Sequence, residues 1–101
     1  MLREQIITAL KEHEHELRQA GVVSVSLFGS VARGEEKARD VDLAARLGGD
    51  FSRRGLDYFG RLDELERRIT AILGCEVDVI EEPARGMRFQ AEIDRDRAIA
   101  F

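Results

Sequence analysis

Three short apolar segments, separated by longer stretches with helical periodicity, set the main limit on how this chain folds. Residues 22–28, 41–47 and 75–80 are rich in valine, leucine and isoleucine, and each has the length of one β-strand. The stretches 2–17 and 59–73 repeat apolar residues every three to four positions and are stopped by Gly21 and Gly74, as amphipathic helices are. Helices that alternate with strands in this way predict an α/β (α+β) fold with a small sheet packed against helices.

Finer predictions follow from the same patterns. Strict alternation along the first strand puts Val23 on the same face as Val25, and Val22 on the opposite face. Residues 84–93 have the composition of a short helix that follows Pro83. Residues 97–101 are expected to form either a small edge strand or an extended tail.

The length and net charge of the chain limit the classes of function that it can have. With 101 residues the chain is expected to form a single domain, 1–101, around one modest core. A net charge of -4 argues against generic nucleic-acid binding, which needs a basic surface. One cysteine permits no internal disulfide, and no apolar run approaches the ~18 residues of a membrane span, so a cytoplasmic location is expected.

Polar residues at the junction of the first two strands carry the chemical information. The first strand ends in Gly29-Ser30, and Asp40 and Asp42 begin the second. A short connection makes the two strands antiparallel neighbours, so these residues should meet at one edge of the sheet. Asp40 and Asp42 should share a face, because side chains two apart on a strand do so. Asp78, inside the third strand between two valines, must also face something polar.

This arrangement is typical of a site for Mg²⁺ and a phosphate chain. Carboxylates gathered on one face repel one another unless a cation lies between them, and Mg²⁺ takes one or two carboxylates together with water and phosphate. Gly29 would let the backbone approach a phosphate closely, and the Ser30 hydroxyl with the following N–H groups would bind it. Arg33 offers a guanidinium that suits paired phosphate oxygens.

Each of these residues also has a purely structural interpretation. A Gly-Ser pair at a strand end is most often only a turn. Asp42 would then pair with a nearby cation such as Arg33 or Lys37. Arg33 is as well suited to an ion pair that braces its loop as to a phosphate contact.

The motif resembles a known family. The stretch "GSVARGEEKARDVDL" is similar to the signature of the minimal nucleotidyltransferases of the DNA polymerase β-like superfamily: Gly-Ser, then Ala-Arg-Gly, then Asp-x-Asp-Leu. The segment "EVDVI" looks like the strand that carries the third carboxylate of that family. The resemblance implies the nucleotidyltransferase fold with a small mixed sheet, ATP bound by Gly29 and Ser30, and Mg²⁺ held by the catalytic residues Asp40, Asp42 and Asp78.

Small members of this kind are commonly antitoxins. The resemblance therefore implies an enzyme that transfers AMP from ATP to a tyrosine of a helical RNase toxin of the HEPN class, silences it, and forms an oligomer with it. Length agrees with a protein acceptor, because related enzymes that modify small molecules usually add a second domain. The alternative is a catalytically idle antitoxin or regulatory module that acts by protein binding alone.

Overall fold

A four-stranded sheet with helices on both faces forms the protein, so the predicted α/β fold class is confirmed. The computed structural model describes residues 2–35, 40–48, 51 and 57–101. No helix in this described part of the chain is long and apolar enough to cross a membrane. In chain order the elements are α1 (Arg3–Glu12), α2 (Glu14–Gln19), β1 (Val22–Phe28), α3 (Gly29–Ala32), β2 (Val41–Leu47), α4 (Tyr58–Leu73), β3 (Val77–Glu81), α5 (Met87–Asp96) and β4 (Ala98–Ile99).

The strands lie in the order β3-β2-β1-β4. As predicted, β1 and β2 are antiparallel neighbours, and Phe28 is opposite Asp42. Strand β3 is parallel to β2 and pairs Asp78 with Asp42, so the sheet is mixed. The short β4 pairs antiparallel with β1 and is the edge strand that the C-terminal sequence allowed.

The main core lies between one face of the sheet and helices α1, α2 and α4. Alternate residues of the strands point into it, as a sheet with one strongly apolar face requires. Helix α4 ends as predicted at Gly74, which takes the left-handed conformation (φ 74°) that closes many helices. Fully or nearly fully buried core side chains include Ile6, Leu10, Leu17, Val25, Leu27, Leu43, Leu65, Ile69 and Val79.

A β-bulge corrects the predicted faces of β1. The pairing register with β2 shifts between Val22 and Ser24, so one extra residue is inserted in β1. Val22 therefore turns into the main core, and Val23 is half exposed to solvent. Strict alternation from the sequence predicted the opposite, because a bulge leaves no mark on the apolar pattern.

Two element boundaries also differ from the predictions. The single helix expected over 2–17 is divided at His13, whose backbone N–H is shared between the carbonyls of Ala9 and Leu10. Strand β3 begins at Val77, because Gly74 and the residues after it turn the chain back towards the sheet. Neither difference changes which side chains are buried.

Helix α5 covers part of the second face of the sheet. A small cluster of Phe28, Ala44 and Ile93 packs there, with Phe89 at its margin. The same face of the sheet also carries a buried ion pair: Arg97 donates to both carboxylate oxygens of Glu82 at 2.8 and 2.5 Å. The Glu82 side chain is only 1% exposed. Arg97 also donates to Ser26 in β1, so this network fixes α5 to the sheet.

Substitution of Arg97 tests how much the Glu82–Arg97 ion pair stabilises the fold. Hydrogen bonds from Arg97 lower the pKa of Glu82, so the pair stabilises the fold at neutral pH and this contribution disappears as the pH falls through the lowered pKa. Arg97→Ala should lower the free energy of unfolding by about 3 kcal/mol at about pH 7, and by progressively less as the pH falls below about 4, as measured by denaturant unfolding.

Arg95→Ala is the matched control, because Arg95 lies on the same helix, its own side chain is 68% exposed, and its ion pair with Asp96 is long, at 3.4 Å. Equal destabilisation by both substitutions, or a loss that does not depend on pH, would contradict this role of the Glu82–Arg97 pair.

Candidate active site

A row of residues crosses three strands on the second face of the sheet, at the margin of the area that α5 covers. Phe28, Asp42 and Asp78 occupy one register position in β1, β2 and β3. Neighbouring strands lie ≈ 4.7–4.9 Å apart, so the two aspartates are side by side on the same face. The predicted meeting of Asp42 with the end of β1 is what the pairing register produces, and Asp78 joins it through the parallel pairing of β2 and β3.

Gly29 follows Phe28 and approaches Asp42 very closely. Its φ of +76° lies in the left-handed region, and a Cβ at this position would be 2.5 Å from Asp42 Oδ2. Only glycine therefore fits both the backbone conformation and the space. The short helix α3 begins here and contains Ser30, so the first N–H groups of its turn face the same end of β1.

The two aspartates share a cleft with an unpredicted carboxylate and an aromatic wall. This carboxylate cleft, of about 400 Å³, is lined by Phe28, Asp42, Glu66, Asp78, Val79, Ile80 and Phe89. A second, acidic crevice of about 490 Å³ adjoins it and is lined by Asp40, Asp63, Glu66, Arg67, Thr70, Glu76, Val77 and Asp78. Asp40 precedes β2 and is exposed, so it borders the crevice and not the cleft.

The carboxylates of the cleft interact electrostatically. Burial, with the negative charges of Asp78 and Asp40, raises the pKa of Asp42, and Arg33 partly offsets this. Burial and the charge of Asp78 also raise the pKa of Glu66. Both carboxyl groups therefore hold a proton more strongly than in water, which is the conflict that a bound cation removes.

Arg33 is held in ion pairs. Its guanidinium lies 2.8 Å from Asp96 Oδ2 and 3.3 Å from Glu35 Oε1. These contacts match the structural interpretation of this residue, since they tie the segment after α3 to α5. Arg33 is still close enough for its positive charge to lower the pKa of Asp42, against the larger effects that raise it.

The residues present fit a divalent cation with a phosphate chain. Within the described ranges, no three His, Cys, Asp or Glu side chains are arranged to hold a metal ion by themselves. Mg²⁺ commonly takes only one or two carboxylates and completes its shell with water and phosphate oxygens. Asp42 and Asp78 supply such a pair, and the backbone of Gly29 lies directly against Asp42. The binding and catalytic roles predicted for all six site residues stay predictions: Gly29, Ser30, Arg33, Asp40, Asp42 and Asp78.

Sequence reasoning missed Glu66, Phe28 and Phe89. Glu66 follows the buried Leu65 on α4, and nothing in the helical pattern shows that this side of the helix reaches the edge of β3. Phe28 and Phe89 lie 61 residues apart in sequence and form an edge-to-face pair with ring centroids at 5.9 Å. Only the packing of α5 against β1 brings the two rings together.

Comparisons with known proteins agree with this geometry. The sequence profile of a family described as "Nucleotidyltransferase domain" matches residues 4–100. A solved structure provisionally described as a minimal nucleotidyltransferase is similar to the chain, with a TM-score of 0.71 and 30% sequence identity over 97% of this chain and 95% of that one. No match was found among curated proteins.

Asp42→Asn tests whether Asp42 serves the site or the fold. Since the pKa of Asp42 is raised in the folded protein, its ionised form costs stability once the pH rises through that pKa. In a chelator and without added metal, Asp42→Asn should keep or raise the melting temperature at about pH 7, with no gain below about pH 4.

Asp57→Asn provides the comparison, because Asp57 is exposed at the start of α4, outside both the cleft and the crevice. A melting temperature that collapses in Asp42→Asn but not in Asp57→Asn would make Asp42 a structural residue.

Proposed function

The chain belongs to the nucleotidyltransferase domain family, and from this we propose that it transfers AMP from ATP, with Mg²⁺, to a tyrosine of a helical RNase toxin of the HEPN class. In this proposal the protein is the antitoxin of that toxin and forms an oligomer with it. The family supports the transfer of a nucleotidyl group. The choice of ATP, of a tyrosine and of a toxin partner rests on the resemblance of the "GSVARGEEKARDVDL" motif.

The observation that carries the proposal is the close approach of Gly29 to Asp42, which is paired in register with Asp78. A backbone free of side chain lies next to two carboxylates that adjacent strands hold in register. Backbone N–H groups bind phosphate oxygens, and carboxylates hold the Mg²⁺ ions that accompany a phosphate chain. This combination therefore suits a nucleoside triphosphate. Gly29 and Ser30 would hold the phosphates that leave, and Asp42 and Asp78 would hold the metal ions, with Asp40 at the margin.

Transfer itself is a displacement at the α-phosphorus. The oxygen of the acceptor hydroxyl forms a bond to this phosphorus, the bond to the bridging oxygen of the β-phosphate breaks, and pyrophosphate departs with the electron pair. The hydroxyl proton passes to water, which reaches the site because Asp78 is exposed. When bound, Mg²⁺ neutralises charge on the phosphates during this displacement.

A tyrosine of another protein suits this reaction better than the one tyrosine of the chain. Tyr58 donates its hydroxyl to Glu81 at 2.5 Å, and burial with this hydrogen bond raises its pKa to about 12. A phenol held in this way is a poor nucleophile at neutral pH. The acceptor is therefore expected to come from the partner.

Gly29→Ala tests the phosphate site. The new methyl group would collide with Asp42 Oδ2, so the carboxylate or the backbone that begins α3 must shift away from the geometry proposed to bind phosphate and metal. ATP affinity, measured by calorimetry with Mg²⁺, should fall at least tenfold, about 1.4 kcal/mol.

Gly34→Ala is a closely matched control. Gly34 also has a positive φ, of +79°, but a Cβ there would meet no atom within 4 Å. Both variants share a strain of about 1–2 kcal/mol, and only Gly29→Ala should lose ATP. Equal ATP affinity in the two variants would remove Gly29 from the phosphate site.

Addition of the partner tests the acceptor. In this proposal the partner would be identified as a small all-helical protein with an Arg-x-x-x-x-His motif, to be sought in the neighbouring reading frame. With labelled ATP and Mg²⁺, label should appear on a tyrosine of that protein, as located by mass spectrometry, and should be lost in Asp42→Asn.

Tyr58→Phe should transfer AMP as well as the wild type. Label on Tyr58 in the absence of the partner would favour self-modification. No label on either protein, despite a stable complex, would favour the idle antitoxin that acts by binding alone.

A further inference from the structure

We propose that the base of the nucleotide lies against Phe89, on the aromatic wall of the carboxylate cleft, and extends into the apolar groove beyond it. This inference rests on the proposed function, because it starts from the positions assigned to the phosphates. It assigns a nucleobase site to residues that the sequence motif does not include.

The first step is the direction of the displacement. Gly29 begins α3 directly after β1, and Asp42 and Asp78 lie in β2 and β3, so a line from the phosphate site to the carboxylates runs across the sheet from the end of β1 to β3. The attacking and leaving oxygens are roughly in line at the phosphorus. If pyrophosphate leaves towards Gly29, the acceptor must approach from the β3 side, where Glu66 and the acidic crevice lie.

The second step is the position of the nucleoside. The three remaining oxygens on the phosphorus are arranged around this line, and one of them carries the nucleoside. The nucleoside therefore leaves the row sideways, along the strands. In one direction lie Asp40 and Glu76, at the end of the acidic crevice where β2 and β3 begin, and in the other lie Ile80 and Phe89.

The two directions differ in chemistry. The Asp40 side is lined mainly by charged groups, which offer a neutral aromatic base no stacking partner. On the other side Phe28, Ile80 and Phe89 form an apolar wall within the carboxylate cleft itself. One cleft thus has a charged half and an aromatic half, which matches the charged and aromatic halves of a nucleotide.

The wall continues into a larger space. An apolar groove of about 690 Å³ shares Val79, Ile80 and Phe89 with the cleft and runs on to Phe59, whose side chain is 75% exposed. Its other lining residues are Tyr58, Leu62, Glu81, Pro83 and Arg85. The groove gives a base room to stack on Phe89 without displacing the core.

Phe89→Leu separates the base from the phosphates. This substitution keeps an apolar side chain on α5 but removes the aromatic face. Calorimetry should show about tenfold weaker binding of MgATP, in the range of one stacked base, and unchanged binding of magnesium tripolyphosphate. Met87→Leu, at a 91% exposed position on the same helix that lines neither space, should change neither affinity.

A second variant reports the contact directly. The chain contains no tryptophan, so Phe89→Trp places a single indole in the wall. Its fluorescence should be quenched by MgATP and not by magnesium tripolyphosphate.

The remaining outcomes overturn the proposal in distinguishable ways. ATP binding that is indifferent to Phe89, while Gly29→Ala weakens it, would leave the phosphate site intact and place the base in solvent. Unchanged ATP binding with reduced transfer to the partner would assign the aromatic wall to the acceptor. Failure of the wild type to bind either ligand would overturn the proposed function and the base site together.

Discussion

Repulsion between Asp42 and Asp78 is the constraint around which the rest of the structure is arranged. A parallel ladder holds the two carboxylates at one register position, where burial and mutual charge raise the pKa of Asp42. The stability that offsets this comes from the opposite face of the same strands. Each buried valine, leucine or isoleucine there contributes about 1.5–3 kcal/mol, so a few such side chains outweigh one unfavourable pair of charges.

The sheet therefore has two faces with different tasks. The face towards α1, α2 and α4 is continuous and apolar. The other face is divided: α5 and the Glu82–Arg97 pair cover the half near β1 and β4, and the half around Asp42 and Asp78 on β2 and β3 is open and acidic. Because alternate residues of each strand serve opposite faces, the same strand that anchors the core also presents a site residue.

Most of the fold followed from local signals, and part of the site did not. The bounds of β1 and β2, the end of α4 at Gly74 and the meeting of Gly29 with Asp42 could be predicted, because they depend on apolar pattern, glycine and strand pairing. The bulge at Val23 could not, since an inserted residue leaves the composition of a strand unchanged. Glu66 and Phe89 were missed for a different reason: their helices join the site through packing between distant segments, which no local spacing encodes.

The position of β3 at the edge of the sheet has a consequence for motion. An edge strand is held by hydrogen bonds along one side only, so it is more prone to open locally than the strands it joins. Opening β3 would carry Asp78 away from Asp42 and relieve their repulsion. Without a bound cation, this repulsion therefore favours local opening of β3. A cation bound between the two carboxylates would reverse that preference and slow hydrogen exchange of the β3 amides. Cation binding at the site would then reduce local opening along the β3 edge of the protein.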